Sequence, residues 1–209
     1  MRTFINYLLA TKTDVVTQTS ALANTRAQPV RALKDAVNEL CAYLLLLDSS
    51  GHLSLEAYSD YARPIQDLTS SFNLITQATY LQQAGGYGTE TNIAAGINQG
   101  ITRLTSSSAR KNAKKVIFII TDGNPTIPDP TSGATNAINS ATTAAQSKGI
   151  QIYTITLGSD VDQSLMGQIA DIGKGIHYHV PTLNIQQYSD DLKNVFRTLG
   201  GKRPVQLIQ

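Results

Sequence analysis

Residues able to do chemistry are few in this chain, and their spacing removes more possibilities than it adds. His177 and His179 stand two positions apart, so on a strand they share one face, a spacing that can bind a metal ion. No cysteine or third histidine lies near them in sequence, which favours a structural role. Gly86-x-Gly88-x-x-Thr91 has the outline of a nucleotide loop. It follows a helical stretch, Leu74 to Gln82, instead of a strand, and it lacks Gly-Lys-Ser/Thr. No Gly-x-Ser-x-Gly occurs, and the single cysteine, Cys41, falls in an apolar helical stripe with no base beside it. A lone cysteine also excludes an intrachain disulfide. An enzyme would thus lack a nucleophile, a metal cluster and a cofactor fingerprint, so the expected role is binding, not catalysis.

Charge narrows the partners. The net charge of +2 is too small to argue for nucleic acid. Arg110, Lys111, Lys114 and Lys115 could contact phosphate, but they precede an apolar run and read as a solvated strand entrance. The 209 residues are 41% hydrophobic and 15% charged, enough to bury one good-sized core and too apolar for disorder. No apolar run approaches a membrane span. Ala21-Leu22-Ala23 has the form of a signal-peptidase site, but the polar run Thr11 to Ser20 before it is the wrong flank, so the N-terminus reads as part of the fold.

The elements that must position any site alternate between two periods. Val30, Leu33, Val37, Leu40, Cys41 and Leu44 recur at helical spacing, with Pro29 suited to the first turn. His52 to Tyr58 alternates with period two, and Ala62 to Leu68 reads as its partner strand. Helices are expected at Phe72 to Gln82 and Asn92 to about Leu104. Val116-Ile117-Phe118-Ile119-Ile120 is a continuous apolar run, as in a parallel strand buried on both faces. An alanine-rich helix ends at Gly149, and Ile150 to Leu157 is a strand. A helix near Gln163 to Ile172, a strand near Ile176 to Val180 and a helix carrying Ile185 to Leu199 follow. A first strand is expected at Phe4 to Ala10.

Such alternation predicts an α/β fold: an open, doubly wound, mostly parallel six-stranded sheet with one antiparallel edge strand and helices on both faces. The chain reads as one domain over residues 1–209. Residues 1–28 hold the first strand and a long loop. Ligands of such sheets bind at the carboxyl ends of strands. The loop Thr121-Asp122-Gly123 and the glycine-rich entry to the helix at Asn92 therefore mark the expected working edge.

Gly85-Gly86-Tyr87-Gly88-Thr89-Glu90-Thr91-Asn92-Ile93-Ala94-Ala95-Gly96-Ile97 resembles the threonine loop of von Willebrand factor A-type domains. Val116 to Pro125, containing Thr121-Asp122-Gly123-Asn124, resembles their aspartate loop. Leu53 to Ser59 and Gly149 to Ile155 match further strands in the same order, and the resemblance runs from about residue 29 to the end. It implies a Rossmann-like fold and a metal-ion-dependent adhesion site, where a divalent ion, usually Mg²⁺, is completed by an acidic side chain of a protein partner. By the same resemblance Thr91 would be the hydroxyl ligand and Asp122 the carboxylate, with Gly123 leaving room for the turn and Thr89 as the alternative hydroxyl.

The first loop departs from the family. Asp-x-Ser-x-Ser is expected after the first strand, and Thr11-Lys12-Thr13-Asp14 stands there instead. Thr11 replaces the aspartate and Thr13 the first serine, so the metal motif is degenerate. Asp14 could substitute, or the Lys12 ammonium could supply the positive charge. Asp48-Ser49-Ser50 imitates the missing motif, but it follows the first helix and reads as a helix-to-strand turn. The ending Val195 to Val205 resembles that of TadG-like pilus-assembly proteins of bacteria, which implies an extracytoplasmic or surface location, although no anchor is visible in the chain. The expected function is a non-catalytic protein-binding or adhesion module working at the sheet's carboxyl edge, with or without weak assistance from a divalent cation such as Mg²⁺. The alternative is a scaffold domain of a surface or pilus-type assembly that has lost metal-dependent binding.

Overall fold

The computed structural model describes residues 30–46, 51–82 and 88–181. The expected first strand at 4–10, the first loop at 11–14 and the final helix at 185–199 lie outside them, as does Asp48-Ser49-Ser50. In order the described elements are α1 (Val30–Leu46), β1 (Leu53–Tyr58), β2 (Ala62–Thr69), α2 (Phe72–Tyr80), α3 (Ile93–Thr105) and β3 (Val116–Thr121). Then come α4 (Pro130–Thr142), β4 (Gln151–Leu157), α5 (Gln163–Ile172) and β5 (His177–Val180).

Five strands form two hydrogen-bonded groups among the described residues. β1 and β2 pair antiparallel, and β3, β4 and β5 run parallel in that order. The apolar run of β3 divides between two faces, as a strand covered on both sides requires. Ile117 and Ile119 enter a core with Ile93, Ile97 and Ile101 of α3, Ile152 of β4 and Leu165, Met166 and Ile169 of α5. Phe118 and Ile120 point the other way, against Ile155, Leu157, Val180 and Leu40 of α1. Each fully buried isoleucine contributes about 1.5–3 kcal/mol. Ala137, Ala141 and Ala144 are completely buried in the same core, where their small side chains let the alanine-rich helix lie close.

β1 alternates in sequence but not in burial, every residue being half-buried. The reason is cover on both faces. Leu53 and Leu55 pack on the cluster of Cys41, Leu44, Phe72 and Ile75 from α1 and α2. On the opposite face Glu56 pairs with Arg103 of α3 at 2.9 Å, and Tyr58 lies against Gly96 of the same helix. The alanine-rich helix starts earlier than its alanines suggest, at Pro130 behind the N-cap Asp129, and it continues into a π-helical turn, Thr143–Ser147. Gly149, with φ +65°, then turns the chain into β4.

Candidate ligand-binding edge

Parallel strands that end together place their following loops on one edge. Thr121, the last residue of β3, is buried, and its hydroxyl accepts from Gly123 N at 3.3 Å and donates to Gly123 O at 3.1 Å. This local side-chain turn bends the chain at once and leaves Asp122 exposed. Gly123 permits a close approach, since a Cβ there would sit 3.2 Å from Thr91 Oγ1.

The loop before α3 is clasped to the loop after β3. Thr91 N donates to Thr126 Oγ1 at 2.9 Å, and Thr126 N donates to Thr91 O at 3.0 Å. The same segment is tied to the turn after β1. Asn92 N donates to Ser59 O at 2.8 Å, Ser59 Oγ donates to Glu90 O at 2.8 Å, and Glu90 N donates to Asp60 Oδ1 at 2.9 Å. Asn92 also caps α3, its Oδ1 accepting from Ala95 N at 3.0 Å. A fourth loop, after β4, joins through Asp162 N, which donates to Asn124 Oδ1. Asp162 and Asp129 cap α5 and α4, and the hydrogen bonds from Ser132 hold the Asp129 carboxyl below the usual carboxylate range.

A cleft of about 450 Å³ opens between the loop after β3 (Asn124, Pro125), the start of α4 (Pro130, Ala134) and the loop after β4 (Ser159, Asp160, Val161, Asp162). Tyr58 supports this edge from below. Its hydroxyl donates to Ile120 O at 3.0 Å. Burial pushes its pKa up to about 12, opposed by the Thr121 hydroxyl and assisted by the Asp122 charge, so the phenol stays a donor.

Of the residues expected from sequence, Thr91, Asp122 and Gly123 come together here, with exposed Thr89 two positions away. Thr11, Lys12, Thr13 and Asp14 lie outside the described residues. Sequence reasoning missed Ser59, Asp60, Asn124 and Thr126, whose partners in these hydrogen bonds lie 30 or more residues away in sequence.

The donors for a divalent cation among the described residues are a partial set, since the first-loop residues 11–14 lie outside them. A hard ion needs several oxygens at near-octahedral geometry. Here Asp122 offers one carboxylate and Thr91 one hydroxyl, while the Thr121 hydroxyl is engaged by Gly123 and Asp60 by Glu90 N. No group of three or more His, Cys, Asp or Glu residues converges on one point among the described residues.

His177 and His179 do share one face of β5, and that face is occupied by two buried threonines of β4. Thr154 Oγ1 lies 2.9 Å from His177 Nδ1, and Thr156 Oγ1 lies 2.9 Å from His179 Nδ1. Thr154 Oγ1 also donates to Met166 O of α5 at 2.9 Å. Burial, then the neighbouring His179, lowers the His177 pKa from its ordinary 6.5, against a hydrogen bond that the ring donates to the Thr154 backbone. The folded state therefore binds fewer protons than the unfolded chain just below pH 6.5. Stability is full above that value and falls as the pH drops toward the folded-state pKa. Urea titrations of wild type and His177→Gln between pH 7.5 and 5 are expected to show a steeper acid loss in wild type; equal slopes would contradict this.

The model of the von Willebrand factor type A domain family matches residues 22–198. The chain belongs to this family. Solved structures share the fold at low identity. An aerotolerance-related membrane protein from Bacteroides fragilis aligns with a TM-score of 0.60 and 15% identity, over 88% of this chain and 94% of the other. The vWF domain of the type V pili tip protein Mfa5 from Porphyromonas gingivalis gives 0.60 and 11%, over 86% and 90%. The PilB minor pilin from Streptococcus sanguinis gives 0.60 and 14%, over 81% and 53%. A search of curated proteins returned no match. As a von Willebrand factor A-type domain the protein has the α/β, Rossmann-like architecture, and no described helix is long and apolar enough to cross a membrane.

Proposed function

We propose that this domain, spanning residues 1–209 with a six-stranded sheet, is a non-catalytic protein-binding module that engages its partner at the carboxyl edge. Domains of the family mediate protein–protein interaction and adhesion. The observation that carries the reading is the hydrogen-bonded union of four loops around exposed Asp122. Fixing a surface before binding lowers the entropy that association must overcome. Thr89, Thr91, Asp122 and Gly123 form the centre of the contact, with Asn124 and the adjoining cleft beside them.

In this reading a divalent ion assists binding weakly at most, because Asp122 is the one carboxylate that the family's metal site retains here, and Thr11 stands where its first-loop aspartate is expected. The likeness to pilus proteins supports a role in a surface or pilus-type assembly. The test is photocrosslinking from Asn124 in the intact chain within producing cells, with the adduct identified by mass spectrometry and the lysate split between EDTA and Mg²⁺ in a parallel capture. Adduct and capture are expected in both conditions and are expected to be lost in Asp122→Ala. Capture that is lost in EDTA would overturn a merely weak metal contribution, and capture untouched by Asp122→Ala would point to a scaffold instead.

A further inference from the structure

Among the described loops of this near-neutral chain, charge separates between the two ends of the parallel sheet. On the carboxyl edge the loops 59–61, 88–92, 122–129 and 158–162 hold six acids, Asp60, Glu90, Asp122, Asp129, Asp160 and Asp162, and no Lys or Arg. At the amino ends of the parallel strands the loops 106–115, 148–150 and 173–176 hold six bases, Arg110, Lys111, Lys114, Lys115, Lys148 and Lys174, and no acid. Among the described residues the exceptions near these edges include Arg63, second in β2 and stacked over the Tyr61 ring, Asp171 in the last turn of α5, and Asp67 near the amino-edge end of β2, which pairs with Arg103.

Each cluster is assembled by the fold. The bases come from three loops joined at the strand entrances: Gln151 N donates to Lys115 O at 3.0 Å, and Gln151 Nε2 donates to Lys174 O at 3.1 Å. All but Lys115 are exposed. The acids are drawn together by the Thr91–Thr126, Glu90–Asp60 and Asp162–Asn124 hydrogen bonds. A six-residue strand separates the two ends by roughly 20 Å, about twice the screening length of ~10 Å at 0.1 M salt, so each end presents its own sign.

We propose that the amino edge of one copy docks on the carboxyl edge of the next. This rests on the reading of the carboxyl edge as the binding surface and names its partner as a second copy of this chain. Charge complementarity commits the proposal to that occupant, since a basic end of matching charge is present on every copy. The cleft between Asn124–Pro125 and Ser159–Asp162 gives the acidic end a recess for lysine side chains. The contact is heterologous, so repeated docking closes into a ring or extends as a filament.

Sedimentation velocity of the full chain tests this. Average mass should rise with protein concentration at ~50 mM salt, and association should weaken at least roughly tenfold by ~500 mM as the charges are screened. Lys111→Glu/Lys114→Glu/Lys148→Glu, and separately Asp122→Lys/Asp160→Lys, should each be monomeric alone, while an equimolar mixture of the two should associate again. All five positions are exposed, so unchanged circular dichroism is expected to show both variants folded. A parent that stays monomeric at every salt, or a mixture that does not associate, overturns the proposal. So does an Asn124 crosslink carrying only a different protein, which leaves the carboxyl edge as a binding surface intact. Absence of any Asn124 adduct together with salt-sensitive self-association would instead refute that surface. Binding of the basic edge to phosphatidylserine vesicles without self-association would also count against a second copy as occupant.

Discussion

Gly175→Ala is expected to cost about 3 kcal/mol or more, lowering the melting temperature by roughly 6–12 °C in a chain of this size. A Cβ at Gly175 would lie 1.9 Å from Ile152 O and 2.7 Å from Ile152 C. These are backbone atoms of a fully buried strand residue, so no flexible side chain can yield. Gly173 is pressed on the same strand, and Ile152 N donates to Gly173 O at 3.2 Å. The turn that leaves α5 thus docks directly on β4, and any separation opens the core at Ile152. Gly167→Ala is the matched control. It lies inside α5 with nothing within 4 Å of the added methyl, and there alanine gains helix propensity of about 0.5–1 kcal/mol. Thermal melts of both variants check the pair; similar melting temperatures would contradict the packing described.

Gly88→Ala carries the second large effect, and it falls on the candidate site. Gly88 has φ +124°, a region that side chains rarely adopt, and its Cβ would lie 2.2 Å from Asp60 Oδ1. The carboxylate that accepts from Glu90 N would be displaced, releasing the segment that carries Thr91. A loss of about 2–3 kcal/mol is expected, combining strain with a broken charge-assisted hydrogen bond. Hydrogen exchange should locate it: the Glu90 and Asn92 amides lose protection while the amides of β4 keep theirs. Uniform loss across the sheet, or none at Glu90, would contradict the assignment.

Much of this was legible in sequence because it is local. The helix expected near Gln163 to Ile172 was legible, since Leu165, Met166, Ile169 and Ala170 recur at helical spacing behind the cap Asp162. The β3 run announced a strand covered on both faces. The start of α4 was less legible, because its first buried alanine comes only at Ala137, although Asp129-Pro130 held the cap signal. The π-helical turn at Thr143–Ser147 has no periodic signature at all.

The site divides in the same way. Thr91, Asp122 and Gly123 could be picked out because their loops resemble the threonine and aspartate loops of von Willebrand factor A-type domains. Thr126 and Asp60 could not, because their partners Thr91 and Glu90 are 35 and 30 residues away and meet only through the arrangement of the sheet. The histidine pair shows the converse. Spacing revealed a shared face, but the threonines filling it come from the neighbouring strand.

The claim that the carboxyl edge is the binding surface is tested most directly by comparing photocrosslinking from Asn124 with that from Asn139. Both are exposed, one beside Asp122 and the other on the outer face of α4. The expected result is an adduct from Asn124 that is at least roughly tenfold stronger than any from Asn139, the scale of a single contact worth 1.4 kcal/mol. It should disappear when Asp122→Ala is added, with the melting temperature unchanged. Equal adducts from the two positions, or an Asn124 adduct indifferent to Asp122→Ala, would contradict the assignment of this edge.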